Sequence, residues 1–177
     1  MKKAKLIIYG VVFGMLVYLI QYLLIAYLPN VLFGLAKVLS RKPLNTVISP
    51  PKTDAKLRRV VLPNPDFVYS VIFYDVSEHD VVLTGEFPDT SQYACIGFYG
   101  NNLQPYRVIN NQTGVTGSYK IRLTANNSSK LANNANRYFT VQAKTKQGSI
   151  LMRLLVTDSV HLKQAAEIQR KLMIAEM

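Results

Sequence analysis

An uncharged apolar run over residues 6–28 constrains this chain more than any other feature, and Gln21 is its only strongly polar residue. In a helix rising about 1.5 Å per residue, about 20 apolar residues cross the roughly 30 Å hydrocarbon core of a bilayer. This run is slightly longer than that, so the sequence predicts a transmembrane helix. No small-x-small cleavage pattern follows it, and we therefore interpret the run as an uncleaved signal anchor.

Two glycines in this run, Gly10 and Gly14, have the G-x-x-x-G spacing. This spacing places two positions without side chains on one helix face and lets a second helix approach closely. Glycine is common in membrane helices, so an incidental pair remains the alternative. The spacing predicts a helix–helix contact at Gly10 and Gly14.

The formal net charge is +11, from 21 Lys and Arg against 10 Asp and Glu. Much of the excess flanks the apolar run, with Lys2, Lys3 and Lys5 before it and Lys37, Arg41 and Lys42 after it. Each cation near anionic headgroups contributes about 1 kcal/mol to membrane binding. We therefore expect the lipid bilayer to be the anionic partner, with Lys37, Arg41 and Lys42 at the membrane surface, and we do not expect nucleic acid.

The orientation follows from the same charges. The three N-terminal lysines adjoin the apolar run directly, whereas the cations on its other side begin some distance beyond it. Long domains translocate largely regardless of their own charge. The sequence predicts a single-pass protein of the inner membrane with a cytoplasmic N-terminus and an outward-facing domain, which is periplasmic in a Gram-negative bacterium.

The pattern divides the chain into an anchor (residues 1–28), a kinked interfacial segment with a Pro-rich linker (29–56), and a β-rich domain (57–177). Pro29 cannot continue the helical hydrogen-bond ladder, so we expect a kink there. The following residues are apolar and then basic, as in a helix lying at the interface, although a simple extension of the anchor also fits. Residues 43–56 contain three prolines and are typical of an extended linker.

The rest of the chain alternates strand-like segments with turn residues. β-branched and aromatic runs predict strands at 67–76, 80–87, 91–100, 106–109, 118–124, 137–143 and 149–157. The first two are close enough to pair as a hairpin, and residues 125–136 are polar enough to form a solvent loop. Residues 158–177 predict an amphipathic helix with Asp158 as its N-cap. The predicted fold class is α+β, mainly β: a transmembrane helix, an antiparallel sheet or sandwich, and a C-terminal helix.

Four polar residues at the start of the first long strand, Asn64, Asp66, Tyr69 and Ser70, form the candidate ligand-binding site. A carboxylate such as that of Asp66 can act as a general base or bind an ammonium or hydroxyl group. Asn-Pro-Asp is equally a turn sequence, in which a short polar side chain bonds to nearby backbone N–H groups. The structural interpretation therefore stands beside the functional one.

Other chemistry has little support in the residue pattern. His79 and His161 are far apart, with no paired spacing for a metal, so we predict no metal site and no cofactor. The single cysteine, Cys95, lies in an apolar run and is expected to be buried. No catalytic set is identified, which favours a protein that is not an enzyme.

The ordered segments NPDFVYS, DVS, VVLTGEFPDTSQYACIGFYG, YKIRLT and SILMRLLVTDSVHLKQAAEIQ resemble the bacterial family called domain of unknown function 1254, over residues 44–172. Phe67 and Val68 differ from the Thr and Leu usual in that family, and residues 96–100 lack its common Asp. Family members commonly carry a second domain, domain of unknown function 1214. The resemblance therefore implies a partner protein that supplies that domain.

Together these features predict an interaction module of the bacterial cell envelope, an accessory subunit that acts with a second membrane or envelope protein. The alternative is an enzyme or a small-ligand-binding protein with its site around the Asn-Pro-Asp turn.

Overall fold

The computed structural model describes residues 2–52, 64–113, 116–125 and 138–177. Within these ranges a long N-terminal helix precedes a mainly β domain with a second helix, which confirms the predicted fold class. In chain order the elements are α1 (Lys2–Ser40), β1 (Val47–Ile48), β2 (Phe67–Asp75), β3 (Val81–Phe87), β4 (Ala94–Gly100), β5 (Pro105–Asn110), a 3₁₀ turn (Asn111–Thr113), β6 (Gly117–Thr124), β7 (Tyr138–Gln142), β8 (Gln147–Leu155), α2 (Ser159–Lys171) and β9 (Met173–Glu176).

The strands form two sheets. Sheet A has the order β1-β2-β8-β4-β5 and its neighbouring strands are all antiparallel. Sheet B has the order β7-β6-β3-β9, and in it β6 and β7 run parallel while the other pairs are antiparallel. The domain is thus a mixed structure rather than a purely antiparallel one.

One hydrophobic core is shared by both sheets and α2. In β2 and β8 every second residue is buried, as a strand with one face on a core requires. Sheet A contributes Ile72, Phe98 and Ile150 to this core, and sheet B contributes Ile121. Cys95 is buried too, as predicted.

Helix α1 does not end at the predicted boundary after Leu28 but continues through Pro29 to Ser40. Its last three turns pack against the domain, since Phe33 is only 4% exposed. The rings of Phe33 and Phe73 make an edge-on contact with centroids 5.8 Å apart. This packing favours a continued helix over an independent interfacial segment, because it offsets the hydrogen bond that Pro29 cannot donate.

The predicted linker is partly a strand. Val47 and Ile48 form β1, which pairs with Ile72 and Val71 of β2 at the edge of sheet A. The chain turns from α1 onto this edge through Arg41 and Asn45, whose φ angles are 52° and 56°. Such left-handed conformations reverse the chain within a few residues, and asparagine tolerates them well. The folded domain therefore begins before residue 57.

The predicted hairpin between the first two strands is wrong. β2 pairs with β1 and β8, whereas β3 pairs with β6 and β9 in the other sheet. The connection after Asp75 carries the chain across the core, and its first residue, Val76, is buried. Alternation along a strand defines its buried face but does not identify its neighbour, so a short connection favoured the local pairing.

The C-terminal prediction is right at its start and wrong at its end. Asp158 caps α2, because its Oδ1 accepts from the backbone N–H groups of Val160 and His161, each at 2.8 Å. The helix stops at Lys171, and Leu172 has an extended backbone. The next residues form β9, which occupies the open edge of β3. The free hydrogen-bonding groups of that edge explain why the chain leaves the helix. Most of the predicted loop at 125–136 lies outside the described residues.

Candidate functional site

The Asn-Pro-Asp segment forms an exposed turn. Asn64 Oδ1 accepts from the backbone N–H of Asp66 at 2.9 Å, and the Asn64 carbonyl accepts from the N–H of Phe67 at 3.2 Å. The carbonyl of Asp66 accepts from the N–H of Val156 at 2.7 Å, which ties the turn to the end of β8. The capping side chain is therefore that of Asn64, and the Asp66 carboxylate lies at the surface.

Tyr69 and Ser70 lie on opposite faces of β2. Ser70 is buried, where its Oγ bonds with Ser49 Oγ at 2.9 Å and accepts from Gln169 Nε2 of α2 at 3.0 Å. Tyr69 is half-buried on the other face, and its hydroxyl donates to the Asn64 carbonyl at 3.5 Å. The structure thus brings Tyr69 close to the turn and places Ser70 in a contact between the N-terminal edge strand and α2. A ligand site at the four predicted residues remains a prediction.

A polar network joins α1 to sheet A next to the Phe33–Phe73 contact. Lys37 Nζ donates to Gln147 Oε1 at 3.2 Å, and Gln147 Nε2 donates to Asp75 Oδ2 at 2.6 Å. We call these five residues the helix joint. The arrangement directs Lys37 toward the domain, while Arg41 and Lys42 lie exposed beyond the helix end. A role for these three cations at the membrane surface remains a prediction.

Asparagine 45 extends this network to the far end of the chain. Its Oδ1 accepts from the Asp75 backbone N–H at 2.9 Å, and its Nδ2 donates to the Asp75 carbonyl at 3.2 Å and to Glu176 Oε1 at 2.7 Å. Burial raises the pKa of Asp75, but hydrogen bonds from Ser77 and Gln147 and the charge of Lys37 outweigh it, and the net pKa is lowered. The corner where α1, β2 and β9 meet is therefore held by charge-assisted hydrogen bonds.

The face of sheet A that points away from the core is a further candidate surface, which the sequence motifs do not include. One row of cross-strand neighbours runs over all five strands. In sheet order its residues are Ile48, Val71, Leu151, Gly97 and Val108. The row is apolar throughout, yet Val108 is 52% exposed and the other three side chains are half-buried. We call this surface the outer face. Its signal in the sequence was the presence of apolar residues at both alternating positions of β2 and β8.

Arginine 153 lies in the next row of the outer face, on the central strand β8. Its cross-strand neighbours are Tyr69 on β2 and Cys95 on β4. Its Nη2 donates to the hydroxyl of Tyr99 at 3.0 Å. A hydrogen bond with Cys95 and burial raise the pKa of Tyr93, and the nearby Arg153 charge opposes this rise. The Arg153 guanidinium, on the central strand, therefore has three tyrosine neighbours, which are Tyr69, Tyr93 and Tyr99.

The side chains of Tyr74, Tyr106 and Asn111 have structural hydrogen bonds, whereas the buried Tyr119 hydroxyl has no hydrogen-bond partner among the described residues. Tyr74 and Tyr106 share a hydrogen bond of 3.1 Å, and burial raises the pKa of both. The Asn111 side chain accepts from the N–H of Ala94 at 3.0 Å and donates to the carbonyl of Gln92 at 2.6 Å. Neutral hydroxyls and satisfied amides of this kind stabilise a core. In the parts of the chain that the structure describes, no three His, Cys, Asp or Glu side chains are grouped as metal ligands would be.

The apolar part of α1 is long enough to cross a membrane. By length and composition the span covers Ile7–Ser40, 34 residues. A Cβ atom added at Gly10 or Gly14 would meet nothing within 4 Å, so both positions are open to a neighbouring helix. The predicted contact there remains a prediction.

The protein therefore consists of a two-sheet domain with the end of an apolar N-terminal helix packed against it. Residues 44–176 match the family described as protein of unknown function (DUF1254), and the chain belongs to that family. The match begins just before β1 and ends with β9. No curated protein gives a significant match to the chain.

Two solved structures resemble the chain. The VPA0106 protein from Vibrio parahaemolyticus has a TM-score of 0.65 at 14% identity, over 84% of this chain and 34% of that chain. A putative uncharacterized protein from Burkholderia cenocepacia has a TM-score of 0.44 at 16% identity, over 74% of this chain and 34% of that chain. The chain therefore spans about a third of the length of these two proteins. The Vibrio structure supports the fold alone.

Proposed function

We propose that this protein is a single-pass, membrane-anchored interaction module of the bacterial cell envelope, an accessory subunit that acts with a partner protein. Its N-terminus is cytoplasmic and its β-rich domain is periplasmic. A separate protein carrying domain of unknown function 1214 fits the partner role implied by the family. The observation that carries this proposal is the helix joint, which fastens the anchor to sheet A.

The helix joint fixes how the domain stands relative to α1. A flexible tether is enough to keep a domain at a membrane, because it needs only length and solubility. Here the helix instead continues past the apolar run and buries Phe33 against Phe73. Lys37 adds a hydrogen bond to Gln147 in the same contact. A fixed orientation favours a protein that presents one surface to another component of the same membrane.

The first test asks whether a complex exists. The full chain is extracted from its native membrane in mild detergent and its native mass is measured together with the identity of co-purifying subunits. We expect a heteromeric species of defined stoichiometry. A strictly monomeric protein without a co-purifying subunit contradicts the proposal.

The second test concerns the joint itself. Spin labels on α1 and on sheet B report the distance between the helix and the domain in detergent or lipid. Replacing Phe33 and Lys37 by Ala should broaden that distance distribution. Replacing Val38 and Leu39, which are 70% and 69% exposed on α1, gives the matched control and should leave it narrow. An equally narrow distribution in both variants excludes the joint as the orienting contact.

The third test addresses the membrane helix. Replacing Gly10 and Gly14 together by Leu should loosen the complex if that face packs on a partner helix, because Leu separates the two backbones. Replacing Val11 and Met15 by Leu is the control, since these residues have the same spacing one position further along. Equal complex yields for the two variants identify the glycine pair as incidental.

A further inference from the structure

Among the residues that the structure describes, the Arg153 guanidinium has no anionic partner. Across the described parts of the chain, no Asp or Glu oxygen lies within 4.0 Å of it. Its hydrogen bond goes to the hydroxyl of Tyr99. A guanidinium offers five N–H donors in a planar fork that matches a carboxylate. In the described part of the chain, the bond to Tyr99 uses one of those five donors.

The surroundings make this cation unlike an ordinary surface arginine. Arg153 is half-buried on the central strand of a five-stranded sheet. The ring of Tyr99 leans over Gly97, where an added Cβ would come within 2.9 Å of Tyr99 Cε2, and this places the hydroxyl at Arg153. The missing side chain at Gly97 therefore allows a tyrosine to hold the guanidinium in place. A group held in one position loses less conformational entropy when a ligand binds.

The apolar row beside Arg153 gives the surface its second component. Val71 and Leu151 lie half-buried in the row, and Val108 is exposed at its far end. α1 contacts the same face through the Phe33–Phe73 ring contact. Phe73 lies two residues after Val71 on β2, so the row adjoins a surface that is already covered by α1. Aromatic residues, arginine and a central apolar patch are the usual composition of a protein-binding surface. Covering the row would also desolvate Arg153 and strengthen its pairing with an opposite charge.

We propose that the outer face of sheet A is the docking surface for the partner, and that the docking segment presents an Asp or Glu carboxylate among apolar side chains. The carboxylate pairs with Arg153 while the apolar side chains cover the row from Val71 to Val108. This inference rests on the proposed function, since it names where and by what chemistry the partner binds.

The test uses the full chain, expressed in its native membrane and extracted in detergent, with the amount of heteromer measured by native mass. Arg153→Glu should weaken the complex at least tenfold, because the new carboxylate at position 153 would face the partner's carboxylate in a contact from which water is excluded. Val108→Arg should weaken it as well without changing Arg153. Lys163→Glu, the same charge reversal on the exposed face of α2, should leave the complex unchanged. Circular dichroism confirms that each variant is folded.

A photo-cross-linker at position 108 identifies the peptide that covers the outer face. We expect a peptide with an Asp or Glu, and changing that residue to Arg should restore binding to Arg153→Glu. A heteromer that survives both Arg153→Glu and Val108→Arg overturns the docking surface and leaves the proposed function standing. A wild-type protein without any heteromer overturns both. Adducts only to a second copy of the chain, or loss of bound anionic lipid rather than protein in Arg153→Glu, also overturn this inference.

Discussion

The two faces of sheet A are built from the same strands but differ in how deeply they are buried. On the inner face Ile72, Phe98 and Ile150 are at most 1% exposed and belong to the shared core. On the outer face Val71 and Leu151 are half-buried and Val108 is exposed, although Cys95 on β4 is buried. α1 contacts this face at Phe73 and Gln147. The alternation of a β-strand therefore lets one segment stabilise the domain and present a surface at once.

The largest expected difference between the faces is in free energy of unfolding. Ile150→Ala should cost about 3 kcal/mol, because it leaves a cavity in a packed core. The neighbouring Leu151→Ala on the outer face should cost about 1 kcal/mol or less, since it removes only partial burial. The chain has 11 tyrosines and no tryptophan, so tyrosine fluorescence during urea unfolding of the detergent-solubilised protein is the measurement. Equal costs would contradict the assignment of the two faces.

The glycines give a second matched pair. A Cβ at Gly148, on the inner face, would collide with the backbone carbonyl of Tyr99 and the Tyr74 hydroxyl, whereas the three atoms nearest to a Cβ at Gly97 all belong to the Tyr99 side chain. Gly148→Ala should therefore cost about 2 kcal/mol through overpacking. Gly97→Ala should cost less than half of that while displacing the Tyr99 hydroxyl from Arg153. Thermal unfolding ranks the two variants, and the reverse ranking would show that the inner face tolerates more volume than its packing indicates.

Asn45→Ala probes the corner where α1 reaches the sheet. The substitution removes hydrogen bonds to Asp75 and Glu176 and leaves alanine at a φ of 56°. The expected cost is about 1.5 kcal/mol, from lost hydrogen bonds and backbone strain. Asn45→Gly also lacks these hydrogen bonds, but glycine adopts this φ without strain. It should therefore be more stable than Asn45→Ala by the free energy of the backbone strain alone. Urea unfolding of both variants separates the two contributions, and identical midpoints would exclude strain.

The smallest expected effect is a pH dependence at Asp75. Its folded pKa is lowered from the ordinary 3.8, so the unfolded state binds more protons in the acidic range. The stabilisation is complete above about pH 4 and is lost as the pH falls through the folded pKa. The stability difference between the natural protein and Asp75→Asn should therefore shrink below pH 4, as measured by urea midpoints between pH 3 and pH 6. A difference independent of pH would show that the charge of Asp75 does not matter.

Strand positions and the long apolar helix could be predicted from the sequence because they depend on local pattern. The predicted strand at 67–76 nearly coincides with β2, and Asp158 caps α2 as expected. Apolar alternation and capping are encoded within a few residues, so no knowledge of the rest of the chain is needed.

Pairing partners and chain ends could not be predicted in the same way. β2 pairs with β8, some 80 residues later, and β9 replaces the last turn of a predicted helix because β3 has a free edge. The grouping of the candidate site residues could not be predicted for the same reason. Adjacent positions such as Tyr69 and Ser70 looked like one cluster in sequence, but a strand sends them to opposite faces. The tyrosines near Arg153 are distant in sequence and are brought to it by the pairing of β8 with β2 and β4.

The contact between Asn45 and Glu176 has a consequence for biosynthesis. α1 leaves the ribosome long before residues 173–176 are made. Sheet B lacks β9, and the corner beneath α1 lacks its carboxylate, until those last residues arrive. Sheet B therefore closes only after residues 173–176 are made, and a nascent chain stalled before residue 173 would carry a complete α1 and an open edge on β3.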